Sequence, residues 1–217
     1  DGRVHVSEDG GGSWRDVTPP TMPEWGTVNA IELSAHDSNR AFLAVHRYRL
    51  DDLHPYVFRT DDLGATWTLL TDGANGIPAG HFVRVVREDP ERRGLLYAGG
   101  EFGVYASFDD GRTWRSLQLD LPVTPVTDLA VAGSDLVVAT QGRSYWILDD
   151  LSVLRRLADG LDPSTPHLLA PRPAIAWVDP SPRYVPVSTC IVPYGWKSIT
   201  SYQGLPAQLD PHADEVS

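Results

Sequence analysis

The chain has 217 residues, a formal charge of −11 and 41% hydrophobic residues, with 19 glycines, 18 prolines and 7 tryptophans. That length supports one domain or at most two, and so many turn formers and large aromatics favour short strands over long helices. The acidic balance argues against a nucleic-acid or anionic-membrane partner, the single cysteine, Cys190, excludes an intrachain disulfide, and no run of about 18 apolar residues predicts a transmembrane helix.

In chain order, the first residues, Asp1-Gly2-Arg3-Val4, read as the middle of a repeat, and no signal peptide opens the sequence. An extended stretch, Arg3-Val4-His5-Val6, leads into the octet Ser7-Glu8-Asp9-Gly10-Gly11-Gly12-Ser13-Trp14, and an apolar Val17 follows. Two strand-like runs come next, 28–33 and 41–45, joined by the turn-rich His36-Asp37-Ser38-Asn39. A long loop is expected over His46-Arg47-Tyr48-Arg49-Leu50-Asp51-Asp52-Leu53-His54-Pro55, then a strand at 56–59, then a second octet, Thr60-Asp61-Asp62-Leu63-Gly64-Ala65-Thr66-Trp67. The series repeats as strands 81–86, 94–98 and 103–106, followed by Ser107-Phe108-Asp109-Asp110-Gly111-Arg112-Thr113-Trp114 and Leu117. A fourth unit has strands at 126–131, 135–140 and 144–148 but no octet; Asp149-Asp150 leads instead into 151–157, whose spacing suits a short helix that either aspartate can cap. Beyond residue 160 neither repeat nor periodicity is visible, and 159–217 reads as a proline-rich, irregular or disordered tail.

The octets recur about 50 residues apart, the length of one four-stranded propeller blade. Each position has a mechanical reason. The third-position aspartate (Asp9, Asp62, Asp109) can accept hydrogen bonds from backbone N–H groups of its own turn. The fifth-position glycine (Gly11, Gly64, Gly111) supplies the positive φ of a tight hairpin. The hydroxyls at positions one and seven can tie down what remains. Trp14, Trp67 and Trp114 are then expected between neighbouring sheets, where each removes roughly 150–250 Å² from water, about 4–6 kcal/mol as an upper bound. The expected fold is all-β: a partial β-propeller of four-stranded antiparallel blades over 1–158, divided into a half blade at 1–18 and blades at about 27–71, 80–119 and 126–157.

The three octets resemble the Asp-box, or bacterial neuraminidase repeat, of sialidases, sortilin-type domains and secreted glycan-processing enzymes. A closer likeness, to bacterial sortilin-like or "glycosyl hydrolase" repeat proteins, rests on the runs 81–90, 101–105 and 138–150. In that family the last run usually carries His where this chain has Gln141. The resemblance implies a longer chain with further blades as partners, and an extracellular or periplasmic location. Three and a half blades fall short of the four to eight of a usual ring and leave sheet surface and a strand edge open.

Within repeated turns, Asp9, Asp62 and Asp109 are braces rather than catalysts, and no octet has the alternating acids of a calcium loop. No metal or cofactor is expected. A ligand face belongs to the loops between second and third strands and to those leading into each blade. The candidates there are His46, Arg47, Arg49, Asp51, Glu101 and Arg143, joined by Glu24, Trp25 and His81; charged and aromatic residues of this kind suit a peptide, protein or glycan. Glycoside hydrolysis needs two carboxyl groups, about 5–5.5 Å apart for retention or about 6.5–9.5 Å for inversion, and Glu101 with Asp51 or Asp52 is the pairing to test. Arg47, Arg84 and Arg143 could serve a sialidase as cations, but the Phe/Tyr-Arg-Ile-Pro segment of sialidases is absent. The expected function is therefore a noncatalytic binding or scaffold module, with a glycoside hydrolase fragment as the alternative.

Overall fold

The computed structural model describes residues 2–162, 164–169 and 196–198. Cys190 and most of the proline-rich tail lie outside the described residues. A two-stranded sheet comes first, β1 (His5–Val6) with β2 (Arg15–Asp16). Three four-stranded sheets follow, each an antiparallel meander. The first of these holds β3 (Thr27–Leu33), β4 (Ala41–Arg47), β5 (Asp52–Thr60) and β6 (Thr68–Leu69). The second holds β7 (Val83–Glu88), β8 (Leu96–Gly100), β9 (Gly103–Ser107) and β10 (Arg115–Ser116). The third holds β11 (Val126–Ala132), β12 (Asp135–Thr140), β13 (Tyr145–Leu148) and β14 (Trp196–Ser198). Strand β7 packs on β3 and β4 before it, and β11 packs on β7 and β8, so the first strands of successive sheets gather on one side. This is a partial β-propeller.

The local sequence explains each hairpin between third and fourth strands. In all three octets the aspartate Oδ1 accepts the position-seven N–H, at 2.9 Å for Asp9 and 2.8 Å for Asp62 and Asp109. Its Oδ2 accepts the hydroxyl of that same residue. The position-one hydroxyl donates to the aspartate and accepts the glycine N–H at 2.7, 2.9 and 2.8 Å. Each glycine has positive φ, and so does the residue before it: Gly10, Leu63 and Asp110. The turn is thus a two-residue left-handed corner. At Gly64 and Gly111 there is a second requirement, because a Cβ would stand 2.6 Å from Val17 and 2.7 Å from Leu70, residues of the preceding sheet.

Cores lie between the sheets. Phe42, Ala44 and Val57 meet Val83, Val86 and Ala98 at one junction. Tyr97, Val104 and Val126 meet Leu136 and Val138 at the next, which also takes Leu151 and, from α1 (Ser152–Ala158), Leu154. Trp114 is buried, its indole N–H donating to Leu70 O at 3.2 Å, and Trp67 is half-buried, donating to Val17 O at 2.7 Å. Trp14 departs from expectation: it is 64% exposed. Its octet is complete, but among the described residues no preceding sheet offers it a carbonyl.

Ion pairs reinforce the packing. Arg40, nearly inaccessible, reaches Asp61, Glu88 and Asp110, and Arg59 Nη1 donates to Asp110 Oδ2 at 2.6 Å. Arg155 of α1 donates to the fully buried Asp89, which also accepts the Tyr97 hydroxyl at 3.0 Å. The N-cap position of α1 is Leu151, which makes no side-chain cap bond, rather than either aspartate; Asp150 Oδ1 accepts Ser152 N–H at 3.1 Å from one residue further out. The fourth strand of the last sheet comes from 196–198, a stretch without periodicity in the sequence, in antiparallel register with 146–148.

Candidate functional site: the loop face

The end of the sheets opposite the octets carries the loops from second to third strand. The long loop expected over 46–55 is largely absent. Strand β4 runs on to Arg47, a 3₁₀ turn takes Tyr48–Leu50, Asp51 closes it with φ 60° and an N–H to Tyr48 O at 3.1 Å, and β5 starts at Asp52. Pairing of Arg47 with Asp52, in register and as an ion pair at 3.5 Å, draws the loop tight.

All three first strands are bulged at the same height, between Val28 and Ala30, Val83 and Val85, and Val126 and Asp128. The extra residue is Asn29, Arg84 or Thr127. A bulge re-aims its side chain, and here it connects sheets: the Asn29 amide donates to Arg84 O at 2.7 Å and stands 3.3 Å from His46 Nε2. Arg84 is the hub. Its Nη2 donates to Glu101 Oε2 at 2.6 Å, and its guanidinium lies over the rings of Tyr48, at 5.4 Å, and Phe82, at 5.0 Å. Those rings stack on each other at 4.8 Å with 13° between planes, and His46 meets both, at 4.9 and 5.9 Å. Arg49 donates to the Tyr48 hydroxyl at 3.4 Å.

Electrostatics follow from this packing. Burial, then the charges of Arg84 and Arg49, lower the His46 pKa, which keeps the ring neutral at neutral pH. The Arg49 hydrogen bond and charge lower that of Tyr48. Asp52 accepts His54 N–H at 3.2 Å and the Tyr56 hydroxyl at 2.9 Å; burial alone would raise its pKa, and these bonds bring it below the usual carboxylate range. Burial and the Asp52 bond push Tyr56 up to about 12. Beside the hub, His81 bonds the Tyr105 hydroxyl and packs on Phe102 at 4.3 Å, and burial lowers its pKa. Around the rim stand exposed aromatics: Trp25, held at φ 64°, Phe102 and Tyr145.

Of the predicted residues, His46, Arg49 and Glu101 join one cluster. Arg47 belongs to the Asp52 network, Asp51 is a turn residue, and Arg143 is exposed in the next loop, where its carbonyl accepts the Trp146 indole at 2.8 Å. Sequence reasoning missed the bulge and the Tyr48–Phe82 stack. The signal for the bulge is a valine followed by a polar residue at matching places, Val28-Asn29, Val83-Arg84 and Val126-Thr127. Of the acids proposed as a hydrolytic pair, Glu101 is held by Arg84, and Asp52 by Arg47, His54 and Tyr56. Among the described residues no group of three or more His, Cys, Asp or Glu is arranged to hold a metal ion, and no helix is long and apolar enough to cross a membrane.

No protein-family profile and no curated protein matches the sequence. Solved structures do match in fold. An ancestral GH74 enzyme is 21% identical, with a TM-score of 0.51, over 67% of this chain and 21% of that one. A YCF48 protein bound to a D1 peptide is 18% identical, at 0.48, over 67% and 44%. A GH74 enzyme from Niastella koreensis is 18% identical, at 0.46, over 57% and 21%. The chain therefore spans less than half the length of each. The first likeness agrees with the propeller architecture.

Proposed function

We propose that the chain is part of an Asp-box propeller of the sortilin-like type and that its loop face binds a peptide, protein segment or glycan without altering it chemically. The observation that carries this reading is the Arg84 hub: a guanidinium laid over Tyr48 and Phe82, braced by Glu101 and by the Asn29–His46 contact, and surrounded by exposed rings. Aromatic surfaces with oriented cations recognise extended ligands through stacking and hydrogen bonding. Hydrolysis fits less well. Glu101 is held by Arg84 and Asp52 by Arg47, and the hydrogen bonds that draw the Asp52 carboxyl below the usual carboxylate range work against its use as a general acid, which needs a raised pKa. The reading includes an extracellular or periplasmic location, which fractionation of the producing cell checks.

The test probes peptide and glycan arrays with the whole chain and with Arg84→Ala. Binding that falls about tenfold or more in the variant, as loss of a central anchor entails, supports the reading. Turnover of chromogenic glycosides that Glu101→Gln abolishes would replace it with the hydrolase alternative.

A further inference from the structure

The connection from β6 to β7 contains Asp72-Gly73-Ala74-Asn75-Gly76. Asp72 Oδ1 accepts the N–H groups of Ala74 and Asn75 at 2.8 and 2.7 Å, which folds this segment into a turn. The Asn75 carboxamide then reaches across the junction between the two sheets. Its Nδ2 donates to Leu70 O, just past β6, at 2.8 Å and to Arg112 O of the third octet at 3.2 Å. Asn75 O accepts Trp114 N–H at 2.8 Å, and Leu70 O also takes the Trp114 indole. One asparagine therefore holds the anchor tryptophan of the second four-stranded sheet against the sheet before it.

Gly76 completes this seat. Its φ is 117°, and a Cβ there would collide with Trp114 O, so no other residue fits. Among the described residues its N–H donates to no acceptor. The chain has three asparagines, Asn29, Asn39 and Asn75, and only the last precedes glycine. Packing thus fixes an unobstructed, unbonded glycine nitrogen directly after a carboxamide, the neighbour best able to attack it.

We propose that Asn75-Gly76 is a self-modifying latch: when the junction opens locally, Asn75 deamidates, and the product keeps the junction from closing as before. The loop-face reading has no part in this. Water is the sole co-reactant. The Gly76 nitrogen bonds Asn75 Cγ, the Cγ–Nδ2 bond breaks, and Nδ2 leaves as ammonia with the proton that the glycine nitrogen gave up. Water then opens the cyclic imide at one carbonyl to give aspartate, or at the other to give isoaspartate. The fold controls the first step. While Nδ2 is tied to Leu70 O and Arg112 O the carboxamide is held in place, and ring closure waits for a local opening. The product has no donor for either carbonyl, so a charged oxygen faces two acceptors where two hydrogen bonds stood. Isoaspartate also adds a carbon to the backbone beside the carbonyl that must meet Trp114 N–H.

The test holds the full chain in mildly alkaline buffer, with and without urea below its unfolding transition, and maps aspartate and isoaspartate by peptide mass spectrometry. Asn29 and Asn39 are references within the same molecule. In urea, conversion at Asn75 should exceed that at either reference, and its own rate without urea, by about tenfold or more, as a reaction gated by local opening requires. The fraction modified at Asn75, separated by ion exchange, should have a lower denaturation midpoint. Its Trp114 N–H should exchange about tenfold faster, while Thr113 N–H, bonded to Asp109 inside the octet, keeps its rate. Asn75→Gln, which has to close a larger ring, should stay unmodified in the same incubation. Conversion no faster at Asn75 than at the two references overturns the site. A rate indifferent to urea overturns the gating, and a modified fraction with unchanged midpoint and unchanged Trp114 exchange overturns the latch.

Discussion

The first and third octets make the same turn from nearly the same residues. Asp9 and Asp109 accept the same pair of hydrogen bonds, from Ser13 and Thr113, within about 0.1 Å of each other. Yet Trp14 is 64% exposed and Trp114 only 3%. The aspartate brace is autonomous because the bonds to its carboxylate come from within the same eight residues. The tryptophan is relational, because its indole bonds a carbonyl some 44 residues earlier, at the outer edge of the preceding sheet. One signature therefore encodes a brace that always forms and an anchor that works only against a neighbour.

The sharpest test of that difference is truncation of the anchors. Trp114→Ala removes a buried ring and its hydrogen bond to Leu70 O, and is expected to cost about 3–5 kcal/mol. Trp14→Ala is expected to fall within about 0.5 kcal/mol of the parent, with Trp67→Ala in between. Urea denaturation ranks the three. Equal losses at Trp14 and Trp114 would mean that the ring stabilises its own turn rather than the junction.

The fifth-position glycine separates local from relational demands in the same way. All three have positive φ, so alanine strains each by about 1 kcal/mol. At Gly111 the new Cβ also meets Leu70 at 2.7 Å, while at Gly11 its nearest neighbour is Trp14 at 3.8 Å. Gly111→Ala should therefore lose about 1–3 kcal/mol more than Gly11→Ala, the cost of overpacking. Denaturation midpoints that move equally would show that only the backbone conformation matters.

The same division explains what could be read from the sequence. Octets, flanking strands and the short helix were legible because periodicity and turn chemistry are local. Asp9, Asp62 and Asp109 declare their role within their own turns. The exposure of Trp14 was hidden, since nothing within Ser7–Trp14 records whether a sheet precedes it. The loop-face hub was half legible: His46, Arg49 and Glu101 stand in loops and attracted suspicion, whereas Phe82 reads as ordinary strand core and reaches Tyr48 only through packing between sheets. The expected loop at 46–55 proved mostly strand because the cross-strand partnership of Arg47 and Asp52 outweighs local turn preference. Strand β14 is held by pairing with β13, and a three-residue edge strand leaves no periodic trace.

The smallest expected effect concerns protonation, and it sharpens the claim that the braces are equivalent. For Asp9 the backbone hydrogen bond from Ser13, and for Asp62 the hydroxyl of Thr66, lead the causes that depress the carboxyl pKa. At Asp109 burial opposes ionisation, but bonds from Thr113 and Ser107 outweigh it, so this carboxyl is also depressed. A folded-state pKa below the unfolded value means that the stabilisation is fully present above the unfolded pKa, about 3.9 for aspartate. It is then lost as pH falls through the folded value. Stability should be insensitive to these groups near neutral pH and decline below about pH 4. Asp109→Asn keeps the shape of the side chain but has no charge to titrate, so its loss relative to the parent should shrink as the pH drops. Denaturation at pH 7 and pH 3 measures this. A gap that stays constant between the two would mean that the aspartate braces the turn by shape and hydrogen-bond count alone, and that its charge adds nothing.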